Sequence, residues 1–479
     1  RITTLAFLLA TTVIPQLLYT PTLQADQPTR PNIILIMADD MGYGALGCYG
    51  QDQIKTPHID QIADEGIQFT HFYAGSHVCQ PSRSVLMTGL HSGHTPVRAN
   101  DTRQFLLDSD VTLAERFKSA GYVTGGFGKW GLGYEGTSGH PNRQGFDQYF
   151  GQYLQVHAHF YYPYWLWQND EKVMLDGNRT GMNQYVNDEI HDSAMEFIQS
   201  NHDKPFFAYV PYIIPHVEVV VPEESEIPYR GKFPKVAILD PRENYLGSED
   251  GLTTLAGMIS RMDDQVGEIL QLLKELKIDE NTLVIFTSDN GGQSGGKDAG
   301  WTKMTDYFQN NADLRGYKGT FYEGGIRVPF VARWPDQIAA GKVSDEPLAF
   351  WDVTPTLCEV IGADTPEVTD GISFLPTLTG DGEQESHEGL YWEYLSRRGL
   401  GRAARMGKWK GIHLAGQETI QLFDLDSDPG EERDVAAQHP EIVEQIQSFM
   451  DASHSDPRPY PGPVVPTSVR DFVNGPWIK

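Results

Sequence analysis

Three short, almost unbroken apolar runs constrain this fold more than any other feature. They are Asn32-Ile33-Ile34-Leu35-Ile36-Met37, Pro205-Phe206-Phe207-Ala208-Tyr209-Val210 and Thr282-Leu283-Val284-Ile285-Phe286-Thr287. Runs of this length that do not alternate belong to strands buried on both faces, the mark of a parallel sheet covered by helices. Each leads into polar residues: Asp39-Asp40, Pro215-His216 and Ser288-Asp289-Asn290-Gly291. A fourth short strand, Gly121 to Phe127, delivers Gly128-Lys129-Trp130-Gly131. Ligands in open α/β sheets gather beyond the carboxyl ends of strands, so one shared edge for these fragments is the economical arrangement. Adjacent carboxylates at such an edge repel unless a cation holds them, the alternative being a capped turn. The pair Asp263-Asp264 differs in context. It lies within a helical stripe of Leu255, Met258, Ile259, Met262, Val266, Ile269, Leu270 and Leu273, and reads as solvated surface.

A second constraint is the stretch His77-Val78-Cys79-Gln80-Pro81-Ser82-Arg83, running on through Ser84 to Thr88-Gly89. Pro81 stiffens the turn, Arg83 brings back a permanent planar charge, and Ser84–Thr88 reads as helix, placing Cys79 near a helix N-terminus. A lone Cys beside such a turn is otherwise a small buried residue. The string resembles the Cys-x-Pro-Ser-Arg signature of type I sulfatases, with Leu90 where that family continues Thr-Gly-Arg. The resemblance runs from the first strand to the last helix. It implies an α/β fold like that of alkaline phosphatase and the sulfatases, with a large mixed sheet between helices and a smaller C-terminal antiparallel sheet with a helix.

The resemblance also implies roles. Cys79 is converted to formylglycine, whose hydrate is the nucleophile, and Arg83 supports it. Asp39, Asp40, Asp289 and Asn290, with position 79, form a hard oxygen set for calcium, or less comfortably magnesium. Lys129 and Lys318 bind sulfate, and His216, with Lys318 as alternative donor, protonates the leaving alcohol. Glu323 and Arg327, in Glu323-Gly324-Gly325-Ile326-Arg327, are scaffold. The family carries a histidine two residues after Lys129, the base that releases sulfate; this chain has Gly131. His157 or His159, after Gly145-Phe146-Asp147, could replace it. His157 is preferred on the expectation of an extended loop, and His159 is a candidate substrate contact. The run His91 to Arg98 either turns basic groups such as Arg98 towards substrate or is a polar loop. The implied function is sulfate-ester hydrolysis on a sulfated sugar. The alternatives are a phosphate or phosphonate ester hydrolase of the same superfamily and a catalytically silent binder of sulfated glycans.

Length and charge set the remaining bounds. A chain of 479 residues suits two domains, here 30–380 and 385–479 on either side of the polar, glycine-rich text at 380–383. The segment Ile54 to Phe72 reads as helix. Three strand-like runs, Gly389–Leu395, Ala403–His413 and Thr419–Leu425, precede a helix over Glu441–Met450. A formal charge of −28 argues against nucleic acid and requires a local basic focus wherever an anion binds. With Cys79 modified, only Cys48 and Cys358 remain for a disulfide. Residues 1–25 read as a signal peptide, implying export to the periplasm or outside, no membrane segment after its removal, and a formylglycine-installing maturation enzyme as partner.

Overall fold

The three apolar runs lie side by side at the centre of a ten-stranded sheet. The structure, a computed structural model, describes residues 30–238, 245–294 and 300–460. The signal-peptide reading of 1–25 falls outside the described residues. In chain order the strands are β1 (Asn32–Ala38), β2 (Ile67–Phe69), β3 (Phe72–Tyr73), β4 (Val123–Lys129), β5 (Gln148–Gln152), β6 (Trp165–Gln168), β7 (Glu171–Met174) and β8 (Phe206–Pro211). They continue as β9 (Thr282–Ser288), β10 (Phe330–Arg333), β11 (Lys342–Ser344), β12 (Leu348–Ala349), β13 (Leu390–Ser396), β14 (Gly399–Met406), β15 (Trp409–His413) and β16 (Gln421–Asp424). The large sheet has the order β11-β2-β10-β9-β1-β8-β4-β5-β6-β7. Its middle, from β9 to β5, is parallel. Antiparallel β10, β6 and β7 make the sheet mixed.

Every residue of β1, β8 and β9 is buried. The pleat divides them between two cores. Ile33, Leu35 and Met37 face one, while Ile34 and Ile36 face the other, shared with the helix Gly251–Leu276 and its expected apolar stripe. Register sets the level of the strand ends. Ala38 lies opposite Ser288, so Asp39 and Asp289 leave the sheet together.

The smaller sheet has the order β13-β14-β15-β16 and is antiparallel. The helix Pro440–Ala452 buries Ile446 and Met450 against Tyr391, Ala404 and Leu422 on one face. Trp392, Ala403 and Ile412 on the other face join the core of the large sheet. The described residues from Pro31 onward pack as one unit.

Three expectations are corrected. The helix expected over Ile54–Phe72 is only α1 (Pro57–Asp64), because Gly66 passes against β10 and Ile67–Phe69 pairs with it. The run Ala403–His413 is a hairpin, turned at Gly407, where φ is +55°. Asp263 is buried, not solvated: its carboxylate accepts from the backbone N–H of His58 and Ile59 (3.0 and 2.8 Å), while Asp264 is exposed. All three cysteines are free. Among the described residues no helix is long and apolar enough to cross a membrane.

Candidate active site

Helix α2 (Cys79–Thr88) begins at Cys79 and ends at Gly89, whose φ of +71° gives the left-handed cap. Pro81 is tolerated because first-turn N–H groups lack helical partners anyway. All ten residues of α2 are buried. Its first turn is fixed from below. Ser82 Oγ donates to Asp289 O (2.6 Å) and accepts from Gly75 N (3.1 Å). Arg83 donates to Asp289 Oδ2 through Nε and Nη2 (3.1 and 2.8 Å) and to Lys129 O through Nη1 (2.7 Å). One buried guanidinium thus ties together α2, the end of β9 and the end of β4.

Cys79 Sγ lies 3.6 Å from Asp39 Oδ1 and 3.9 Å from Asp40 Oδ1. Asp40 N donates to Asp289 Oδ1 (3.1 Å), and Asn290 Nδ2 donates to Asp40 Oδ1 (2.7 Å). The ligand atoms of Asp39, Asp40, Cys79 and His216 all lie within 4.8 Å of one another. Asn290 Oδ1 is buried with no hydrogen-bond partner. Buried carboxylates with an unspent amide oxygen are a donor set for a hard cation, so the residues fit a metal of that kind.

Charge around this cluster is nearly balanced. Lys129 Nζ donates to Asp39 Oδ2 (2.6 Å) and Lys318 Nζ to Asp40 Oδ2 (2.7 Å). Burial acts to raise the Asp39 pKa, but Lys129, Arg83 and Lys318 hold it below its ordinary value. Burial pushes Asp40 up to about 6 against Lys318, with Asp39 and Asp289 adding to the rise. The Cys79 thiol is pushed up to about 12 by burial, which Lys129 and Lys318 only partly offset.

Lys318 Nζ also lies 2.9 Å from His216 Nε2. An ammonium has no lone pair, so His216 Nε2 accepts, and its Nδ1–H donates to Val217 O (3.1 Å). The same Nε2 lies 3.2 Å from Asp40 Oδ2, so His216 and Lys318 both face the Asp40 carboxylate. Tyr161 Oη donates to His216 O (2.7 Å) and steadies the loop.

The other sequence candidates separate. His157–His159 forms a tight helical turn, not the extended loop on which the preference for His157 rested. His157 Nε2 meets Trp165 O (3.1 Å) and its ring packs on Trp165, away from the carboxylate cluster. The His159 ring packs on His216 (4.7 Å between centroids), with Nδ1 3.0 Å from Tyr245 Oη. Burial, then the charges of Lys129 and Lys318, keep His159 well below its ordinary pKa. Arg98 is turned away, with Nη1 donating to Glu393 Oε1 (3.1 Å) and Nη2 to Ser455 Oγ (2.9 Å). Gly131 has φ of +84°, and a Cβ there would lie 2.1 Å from Gln155 Nε2, which is buried and unpartnered. Gln155 thus fills the space that a side chain at 131 would claim. Glu323 is buried between Lys410 (2.7 Å), Tyr73 (2.9 Å) and Arg327 (3.4 Å). Ser82 stands in the signature without a role of its own in the sequence, and Tyr161 and Tyr245 carry no signal there, because a single hydroxyl has no spacing to read.

A parallel sheet whose strand ends gather a buried cysteine, acidic oxygens and lysines defines a hydrolytic centre for anionic esters, on an alkaline phosphatase-like fold. The sulfatase family model matches residues 31–363, and the model for the N-sulphoglucosamine sulphohydrolase C-terminal region matches 317–456. The chain belongs to the sulfatase family, and it is a sulfuric ester hydrolase. It is 29% identical to an N-acetylgalactosamine-6-O-sulfatase of Bacteroides thetaiotaomicron, over 88% of this chain and 93% of that one. It is 30% identical to human arylsulfatase A, over 88% and 87%. The crystal structure of Ps i-CgsB in complex with k-i-k-neocarrahexaose superposes with a TM-score of 0.75 at 28% identity, covering 89% of this chain and 93% of that chain.

Proposed function

We propose that this chain removes sulfate from a sulfated carbohydrate, using calcium and a formylglycine made from Cys79. The observation that carries the reading is the place of Cys79. It opens helix α2 with Sγ 3.6 Å from Asp39 Oδ1 and 3.9 Å from Asp40 Oδ1, among the lysines that hold those carboxylates. A nucleophile facing an anionic ester would stand there. A sulfated carbohydrate is supported by a relative named N-acetylgalactosamine-6-O-sulfatase and by a neighbour solved with a neocarrahexaose. Residues 30–380 would form the catalytic part and 385–479 a supporting subdomain, in an exported protein matured by a formylglycine-installing enzyme.

Asp39, Asp40, Asp289 and Asn290, with the oxygen at position 79, would hold the calcium, which supplies Lewis acidity to a sulfate oxygen. Lys129 and Lys318 add positive charge where the ester's negative charge grows. A hydroxyl of the hydrated aldehyde at 79 would pass its proton to the neighbouring Asp39 carboxylate and attack sulfur as the S–O bond to the alcohol breaks. Lys318, oriented by His216 and Asp40, gives the departing oxygen its proton. The remaining hydroxyl at 79 then loses its proton to a base, the C–O bond to sulfate breaks, and the aldehyde is regenerated. Water restores the hydrate. For the base, the geometry supports His159 over His157.

Sulfate and phosphate release from matched aryl esters tests the reaction. Faster sulfate release is expected, and faster phosphate release would overturn the reading. For the metal, Asp289→Asn is expected to weaken calcium binding in calorimetry, with excess calcium partly restoring turnover. Unchanged affinity would remove Asp289 from the ligand set.

A further inference from the structure

A cavity of about 510 Å³ opens beside the active site. Its floor includes His77 and Val78, directly ahead of Cys79, and Gly319, directly after Lys318. Gly319 N donates to His77 O (2.8 Å), which braces the two loops that carry the chemistry. The His77 ring meets Phe321 and Tyr394 (4.5 and 4.8 Å between centroids), giving the cavity aromatic walls.

Its rim is the β13–β14 hairpin. Ser396 lies opposite Gly399, so Arg397 and Arg398 are the two residues of the turn. Neither arginine needs the left-handed conformation, which falls on Gly399 (φ +116°), so the turn does not call for arginine at either position. Both arginines are exposed, and neither guanidinium has an ion-pair partner among the described residues. No carboxylate lines this cavity, whereas four other cavities of the same surface each carry at least three. In a chain of net charge −28, this is a local basic focus of the kind an anion requires.

We propose that this cavity is a subsite for an anionic sugar adjoining the one that loses its sulfate, with Arg397 and Arg398 binding its sulfate or carboxylate. The proposal rests on the sulfatase reading above and deepens it: the substrate is an oligosaccharide with a second negative group, not an isolated monosulfated sugar. Arginine binds such groups through paired, charge-assisted hydrogen bonds.

The test is calorimetric binding of three oligosaccharides of equal length to full-length protein carrying Cys79→Ala. One bears sulfate on every sugar, one a single sulfate with neighbouring uronates, and one a single sulfate on otherwise neutral sugars. The first or second is expected to bind best, and which of them does so identifies the second anion. Arg397→Ser with Arg398→Ser should weaken that binding by about tenfold or more, the range for hydrogen bonds to charged groups. It should also steepen the loss in kcat/KM on that oligosaccharide relative to an aryl sulfate. Equal binding of all three, or an unchanged affinity in the double variant, would overturn the subsite. Failure of the unaltered protein to release sulfate from any ester, with arginine-dependent binding intact, would instead contradict the reaction and leave the subsite standing.

Discussion

His157 and His159 sit two residues apart on one tight turn and meet different surroundings. His157 is buried against Trp165, and burial pushes its pKa down to about 3. His159 lies against His216, within the field of Lys129 and Lys318. An arriving sulfate offsets those lysine charges, which makes the His159 ring a better proton acceptor in the complex than in the free protein. His159→Ala is therefore expected to slow turnover about a hundredfold or more, the usual cost of a lost general base, with a burst of alcohol ahead of sulfate release. His157→Ala should lower the unfolding midpoint while leaving that burst absent. Rapid-quench kinetics on both variants checks the pair, and a burst in His157→Ala alone would reverse the assignment.

At the scale of elements, α1 shows how a distant residue completes a helix. Thr56 at its N-cap makes no side-chain capping bond. Asp263, from the helix Gly251–Leu276, instead takes the N–H groups of His58 and Ile59 (3.0 and 2.8 Å). Asp263→Ala is expected to cost about 1–2 kcal/mol in urea unfolding, the range for a lost cap, whereas Asp264→Ala should be nearly silent. Such a contact could not be seen in the sequence, because nothing local distinguishes Asp263 from its exposed neighbour. The strand ends could be seen. A strand buried on both faces excludes charged residues, so the first carboxylate after β1 or β9 marks where the sheet stops and chemistry begins. The histidines fall between these cases. Their presence was legible, but their direction depended on whether the loop was extended or a tight turn, and composition does not decide that. Arg397-Arg398 was missed because a hairpin tip has no periodicity to read.

Across the whole molecule, the C-terminal sheet is joined to its surroundings by charge as well as by apolar packing. Lys410 of β15 is fully buried, 2.7 Å from Glu323 Oε1 and 2.9 Å from Glu431 Oε1, and Arg405 of β14 donates to Tyr73 Oη (2.6 Å). Burial acts to raise Glu323, but Lys410, Arg327 and Arg405 hold it down at about 2. A carboxyl depressed in the fold adds stability above its ordinary value of 4.5 and loses it as pH falls through about 2. Lys410→Met leaves buried acids unpaired and is expected to cost about 3–5 kcal/mol near neutrality. The stability gap between this variant and the unaltered protein should narrow as pH falls from 4.5 towards 2. Urea midpoints across that range check the sign, and a gap that widens in acid would contradict it.

The central claim is that position 79 acts as an aldehyde and not as a thiol. Mass spectrometry of the peptide containing residue 79, from enzyme of measured specific activity, tests it most directly. The active protein is expected to carry that peptide with sulfur and two hydrogens exchanged for one oxygen, in proportion to its activity. Full activity from protein whose Cys79 is entirely thiol would contradict the account.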